Sequence, residues 1–285
     1  MERPFVFPNS VRLSTGLRPA AIKDLTMDAK FDILAAFPAF SPYSAGSYED
    51  KSQLTINTIN QVFPALSALA YALGLAPAKV VDIQAIAGSN KDRQSAERLK
   101  THLDRYGSDK ATLHDYHYLY GHILKDAGAI TGICEIGLGT NNIDVVSNMG
   151  DAGRPGASLR AFRDHCQNAQ VYGADIDRRI LFEDDRIRTF FVDQTDVASI
   201  DALGQSVPDG LDLVIDDGLH SPDANLNSLR FALAKIKIGG WAVVEDISPG
   251  AIPLWECVSS MLPDAFESFI FNATGGVVFA ARRLS

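Results

Sequence analysis

From about residue 130 onward the sequence predicts an α/β fold built on a doubly wound parallel sheet, and three observations carry that prediction. Short β-rich runs (ITGICEIG, VYGADI, IRTFFV, LDLVIDD, GWAVVEDI) alternate with helical stretches (SLRAFRDHC, DVASIDALGQ, NLNSLRFALAKI). Alternation of this kind gives a parallel sheet with helices on both faces. Several of the runs are apolar on both alternating faces, as strands covered on both sides must be. The end of the chain differs. SFIFNA and GVVFAARR are joined by Thr274-Gly275-Gly276, the signal of an antiparallel hairpin.

Upstream elements are mainly helical. Residues 51–75 carry a helical period that is interrupted at Pro64 and stops at Gly74. Residues 91–106 form a charged amphipathic helix ending at Gly107, and residues 115–127 form another that leads to the first strand. Residues 1–50 are rich in Pro, Ser and aromatics without a sustained period. They read as a loose arm that packs on a second subunit or on its own domain. The expected division is an N-terminal arm and helical extension at 1–105 and an α/β domain at 106–285.

Composition narrows the partners. The 285 residues are 46% hydrophobic and 21% charged, with a net charge of −9. An acidic surface repels phosphate backbones, so a nucleic-acid partner is not expected. Three widely spaced cysteines, Cys134, Cys166 and Cys257, argue against a disulfide framework and for a reducing, cytoplasmic setting. No apolar leader or bilayer-length run is present in the sequence.

The first strand runs into CEIGLGTNN (134–142), a glycine loop of the kind that lets backbone approach a ligand. Asn142 stands where a dinucleotide fingerprint places its third glycine. Asp175 ends the next strand, 36 residues after Gly139, where a dinucleotide fingerprint expects about 20. A carboxylate there can accept both ribose hydroxyls. Asp193 and Gln194 end the third strand, within reach of an adenine amino group. All of these positions fall at C-terminal strand ends, the ligand edge of open α/β sheets. Glu135 is badly placed for a pyrophosphate, which needs an approach free of carboxylates. S-adenosylmethionine has no phosphate and carries an ammonium and a sulfonium, so an acidic loop suits it better than it suits NAD.

A second constellation lies further along the chain. The fourth strand ends in Asp216-Asp217-Gly218-Leu219-His220 and the fifth in Glu245-Asp246. Asp217, Glu245 and Asp246 should gather at the same edge and would repel one another if unpaired. A hard cation with oxygen ligands, Mg²⁺, relieves that repulsion. His220 lies three residues past Asp217 and can serve as general base. The bland alternative makes Asp216-Asp217 a turn and His220 a structural residue. The remaining histidines, His114 among them, read as structural or surface groups. No G-x-S-x-G elbow supports a hydrolase.

In order along the chain, GSDK (107–110), HDYHYLY (114–120), EIGLGTNN, GASLRAF, VYGADIDRRI, VDQ, IDDGLHS and GGWAVVEDI resemble the metal-dependent class I O-methyltransferases of natural-product sugars. The mycinamicin and macrocin sugar O-methyltransferases are of this kind, and the cephalosporin hydroxylase family is similar in its core. The resemblance spans about residues 105–250. It implies a Rossmann-like methyltransferase sheet and a homo-oligomer, with the extension at 1–105 covering the acceptor or building the oligomer. Glu135, Gly137, Gly139 and Asn142 would form the donor loop, with Asp175 on the ribose, Asp193 and Gln194 on the adenine, Asp216 among the donor-binding residues, and Lys110 and Ser158 shaping the pocket. Asp217, Glu245 and Asp246 would hold Mg²⁺, and His220 would be the base. The implied activity is methyl transfer from S-adenosylmethionine to a hydroxyl of a sugar or glycoside. A hydroxylase, an NAD-dependent oxidoreductase and a non-catalytic donor-fold protein are the rivals.

Overall fold

The computed structural model describes residues 26–30 and 48–285. The arm at 1–50 lies almost wholly outside the described residues. The chain divides into two compact units, Met1–Ala65 and Leu66–Ser285. In the first, Lys30 Nζ meets Glu49 Oε1 at 2.6 Å and Ser52 Oγ donates to the Lys30 carbonyl at 3.3 Å. Helix α1 (Tyr48–Ala72) runs through Pro64, where the sequence suggests a break. The unit boundary falls after Ala65, one residue past that proline. In the second unit the end of α1 is tied down by Ser67, whose hydroxyl donates to Glu256.

The second unit is organised on one sheet of nine strands among the described residues. Its strands are β1 (Val80–Asp82), β2 (Gly132–Ile136), β3 (Gln170–Asp175), β4 (Glu183–Asp184), β5 (Ile187–Phe191), β6 (Leu211–Asp216), β7 (Ile236–Ile247), β8 (Phe266–Ala273) and β9 (Gly276–Arg283). They lie in the order β1-β8-β9-β7-β6-β2-β3-β5-β4. Strands β5, β3, β2, β6 and β7 run parallel, and β9 inserts antiparallel between β7 and β8. This is the doubly wound, Rossmann-like sheet with a terminal antiparallel hairpin that the strand–helix alternation and the Thr-Gly-Gly turn predict.

Helices cover both faces. On one, α2 (Asn90–Tyr106), α3 (His117–Ile123) and α4 (Ala157–His165) bury Leu99, Leu103, Tyr120 and Phe162 against Ile133, Ile215 and Val243. On the other, α5 (Val197–Ser206), α6 (Pro222–Lys235) and α7 (Ile252–Met261) bury Ile200, Leu229, Phe231 and Trp255 against Cys134, Val214 and Val244. Alternate residues of one strand thus feed the two cores, and each large side chain contributes about 1.5–3 kcal/mol by leaving water. Helix α2 has both ends written in its sequence. Ser89 and Asp92 make a reciprocal capping box, and Gly107 closes it in the left-handed region at φ 74°.

Three differences from the sequence reading have simple causes. Strands β1 and β4 have three and two residues, too few to show a period. Strand β7 begins at Ile236, directly at the end of α6, so no turn residue announces it. Helix α3 is seven residues long, where the sequence suggests helix over 115–127, because the segment after it closes into turns. None of the described helices is long and apolar enough to cross a membrane. Cys134, Cys166 and Cys257 are free thiols.

Candidate functional site

Register places the informative residues together. Ile136 pairs with Asp216, and Asp216 with Val244, so the loops after β2, β6 and β7 leave the sheet side by side. The glycine loop is glycine for steric reasons. At Gly137, with φ 96°, a Cβ would stand 1.9 Å from the Asp217 carbonyl oxygen. At Gly139, with φ 76°, it would stand 2.8 Å from Met149 Sδ. The loop therefore lies flat on the β6 turn, which carries the second constellation.

Asp175 locks the loop from the other side. Its two oxygens accept the backbone N–H groups of Leu138 at 2.7 Å and Asp177 at 2.8 Å. Burial raises its carboxyl above the usual range, while these hydrogen bonds pull the other way. Asn142 stays out of the cavity and donates to Asp177 Oδ2 at 2.7 Å, beside Thr140. Asp193 lines the cavity and caps its own turn through Thr195. Gln194 donates to Asp216 and Ser228 and accepts from the Leu219 N–H at 2.8 Å. Asp216 is buried behind the cavity, held by Gln194 and Asn225, and burial pushes its carboxyl up to about 6.

The other end is strained. The β7–β9 register shifts between Val244 and Ile247, and Asp246 inside that irregularity has φ 53°. His220 has φ 57°. Non-glycine residues with positive φ are uncommon and concentrate at functional sites. Asp246, inside that irregularity, and the buried Glu245 both line the cavity, and Glu245 is held from behind by Lys110 and Tyr120. Asp217, His220 and Asp246 each offer a ligand atom within 4.8 Å of the others. His220 Nε2 stands 3.8 Å from Asp246 Oδ2.

Behind that open trio sits a buried cation. Lys110 Nζ lies 2.6 Å from Asp217 Oδ2, 2.5 Å from Glu245 Oε2 and 3.1 Å from Glu135 Oε1. The last contact is an ion pair only, because that Glu135 oxygen accepts no hydrogen bond of good geometry. Burial alone would lower the ammonium, but Asp217, Glu245 and Glu135 outweigh it and hold Lys110 charged well above its ordinary range. The Tyr120 hydroxyl donates to the remaining Glu245 oxygen, Ser158 to Glu135 Oε2, and Tyr116 to Asp246 Oδ1. Both tyrosines are pushed up by burial and by these carboxylates, so they stay donors.

All of this opens on a cavity of about 720 Å³. Carboxylates line it on every side (Asp109, Asp144, Asp175, Asp193, Asp217, Glu245 and Asp246), and no lysine or arginine does. Of the sequence-predicted residues, Gly137, Gly139, Asp175, Asp193, Gln194, Asp217, His220, Glu245 and Asp246 reach it. Glu135, Ser158, Lys110, Asn142 and Asp216 support it from behind.

Sequence reasoning misses four groups here. His114, which reads as structural or surface, lines the cavity 3.7 Å from Asp246 Oδ1 and stacks on Tyr116. Asp109 lies in GSDK and the two buried tyrosines in HDYHYLY, but those stretches assign them no role. Tyr116 and Tyr120 lie four apart, on one helical face, and that spacing is the available signal.

No family model matches this chain. Over 153 residues it is 29% identical to the 8-demethyl-8-alpha-L-rhamnosyl tetracenomycin-C 2'-O-methyltransferase of Streptomyces olivaceus, covering 53% of this chain and 38% of that protein. Over 92 residues it is 33% identical to the mycinamicin VI 2''-O-methyltransferase of Micromonospora griseorubida, covering 32% and 23%. The chain thus spans less than two-fifths of the length of these curated relatives. Among solved structures, the MycE methyltransferase of the mycinamycin pathway, with Mg, SAH and mycinamycin VI, aligns at 20% identity and a TM-score of 0.49. That alignment covers 85% of this chain and 63% of that one.

Proposed function

We propose that this chain is an S-adenosylmethionine-dependent, Mg²⁺-dependent O-methyltransferase acting on a hydroxyl of a sugar or glycosylated natural product. The observation that carries the reading is the cavity's charge. Among the described residues seven carboxylates and no lysine or arginine line the cavity at the C-terminal edge of a doubly wound sheet, and the paired cations, Lys110 on Asp217 and Glu245 and Arg179 on Asp144, are outnumbered. A pyrophosphate would be repelled there, whereas a sulfonium with an ammonium is attracted. Asp175 keeps lone pairs for ribose hydroxyls while its other contacts hold the loop. The curated relatives are O-methyltransferases by name, which agrees with this reading.

The acceptor end fits a hard cation. Asp217 and Asp246 present open carboxylate oxygens, and Mg²⁺ takes one or two carboxylates and fills its other positions with water and substrate oxygens. Glu245 stands behind them with its oxygens on Lys110 and Tyr120. Bound there, Mg²⁺ would lower the pKa of an acceptor hydroxyl. His220 accepts that hydroxyl's proton at Nε2 as the oxygen attacks the donor methyl in line, and Asp246 faces the resulting imidazolium. The glycine loop and Asp175 fix the donor, so much of the rate comes from positioning.

Among the described residues the convergent metal-capable group contains one histidine. An iron hydroxylase needs two histidines and a carboxylate, so that rival loses support. The reading includes a cytoplasmic homo-oligomer, and the net charge of −9 disfavours a nucleic-acid partner. A sizing column checks the oligomer. Calorimetric titration checks the donor: S-adenosylhomocysteine should bind and NADH should not. Tight NADH binding without S-adenosylhomocysteine binding would refute the reading.

A further inference from the structure

The cavity explains the open carboxylates but leaves Lys110 without a task. A lysine 2% exposed is costly to bury, and it persists only where opposite charge and hydrogen bonds offset its lost hydration. Here three carboxylates from three strands converge on one ammonium: Glu135 from β2, Asp217 just after β6, and Glu245 from β7. Two of them, Glu135 and Glu245, are themselves almost fully buried. With all four side chains ionised the cluster carries two net negative charges, and Asp246 beside it adds a third. Lys110 is therefore the cation that lets these strand ends sit together before any metal arrives.

The ammonium also limits how tightly a metal can bind. Asp217 is 25% exposed and is shared between two groups: Oδ2 is held by Lys110, and the same carboxylate belongs to the open trio with His220 and Asp246. Any divalent cation taken by Asp217 shares that carboxylate with a fixed positive charge, and like charges at such range disfavour one another. We propose that Lys110 is a resident counter-cation that assembles the acceptor carboxylates in the metal-free protein and holds divalent-cation affinity down, so that the ion is exchangeable. It is a positioning residue acting through Asp217 and Glu245. The inference rests on the methyltransferase reading for what the ion is for, but its geometry is independent of the donor.

The sign of the effect tests it. Mn²⁺ is titrated into the full chain and free ion is read by electron paramagnetic resonance, with thermal unfolding followed in parallel. Lys110→Met should bind Mn²⁺ at least about tenfold more tightly than the unmodified protein, because the ion inherits the carboxylates. Its thermal midpoint should rise with Mn²⁺ by more than the unmodified protein's, since an ion that binds only the folded state stabilises it by mass action. Lys110→Arg keeps the charge and should stay near the unmodified affinity. Glu135→Gln removes one carboxylate from around the ammonium without touching the open trio, and should weaken Mn²⁺ binding several-fold. Structural damage would weaken both variants, so opposite signs separate the two accounts. Lys110→Met binding Mn²⁺ no better than the unmodified protein overturns the inference. Should that variant fail to fold even with Mn²⁺, Glu135→Gln decides: unchanged or tighter binding overturns it. Failure of the methyltransferase reading shows elsewhere, as absence of S-adenosylhomocysteine binding, and leaves the Mn²⁺ comparison intact.

Discussion

The two ends of the cavity are built by opposite means. The glycine-loop end, proposed for the methyl donor, joins neighbouring strands and is relaxed. Gly137 and Gly139 take up the positive φ values their position needs, Asp175 is satisfied by two backbone N–H groups, and Asp177 gathers Arg179 beside it and Thr140 and Asn142 from the loop after the neighbouring strand. The end proposed for the acceptor is longer in range and strained. Two non-glycine residues, His220 and Asp246, hold positive φ, and Glu245 takes its donors from positions 125 and 135 residues away. The contrast teaches that the donor end is a property of the fold, whereas the acceptor end must be held together by charge. Changes at the donor end should therefore register as loss of fold or donor affinity, and changes at the acceptor end as loss of turnover.

The largest separation is expected from Asp217→Asn. Metal-dependent turnover should fall by about 10²–10³-fold or more, with S-adenosylhomocysteine affinity little changed in the same calorimeter. Equal losses in both would mean that the two ends are not separable. Gly137→Ala should do the reverse. A Cβ 1.9 Å from the Asp217 carbonyl at φ 96° cannot be absorbed by a flexible neighbour. The expected cost is about 3 kcal/mol or more, read by denaturant unfolding, with donor affinity lost alongside.

Helix α4, which backs the donor loop, gives the comparison a pH axis. Burial lowers the His165 imidazole to about 4, with the charges of His102 and Arg98 adding to it. Its folded value lies below its unfolded one, so the stability it contributes is present above about pH 6.5 and is lost as pH falls through 4. The loss should amount to about 3 kcal/mol in unfolding titrations, and His165→Gln should flatten that limb. The smallest effect is expected from Tyr120→Phe, which strips one donor from buried Glu245. Stability should fall by about 1–3 kcal/mol, with donor affinity intact.

Legibility in the sequence divides along the same line. The sheet, its hairpin and the donor loop can be read because strand periodicity, turn glycines and strand-end carboxylates are short-range signals. Asp217, His220 and Asp246 can be placed at one edge because parallel strands align their C-terminal ends. That Lys110 sits among three carboxylates cannot be read, since nothing local in GSDK reports a contact 135 residues away. Nor can the β7 irregularity, which gives Asp246 a positive φ beside the buried Glu245. His114 escapes notice because a histidine in a loop before a helix looks like any other until Asp246 is beside it.

The central claim is that one cavity holds a methyl donor at one end and a divalent cation at the other. The most direct test follows the methyl group of ¹³C-labelled S-adenosylmethionine bound to the full chain while Mn²⁺ is added. The account predicts that the bound methyl resonance broadens with Mn²⁺ and that Asp217→Asn removes the broadening without releasing the donor. A bound methyl signal indifferent to Mn²⁺ in the unmodified protein would contradict it.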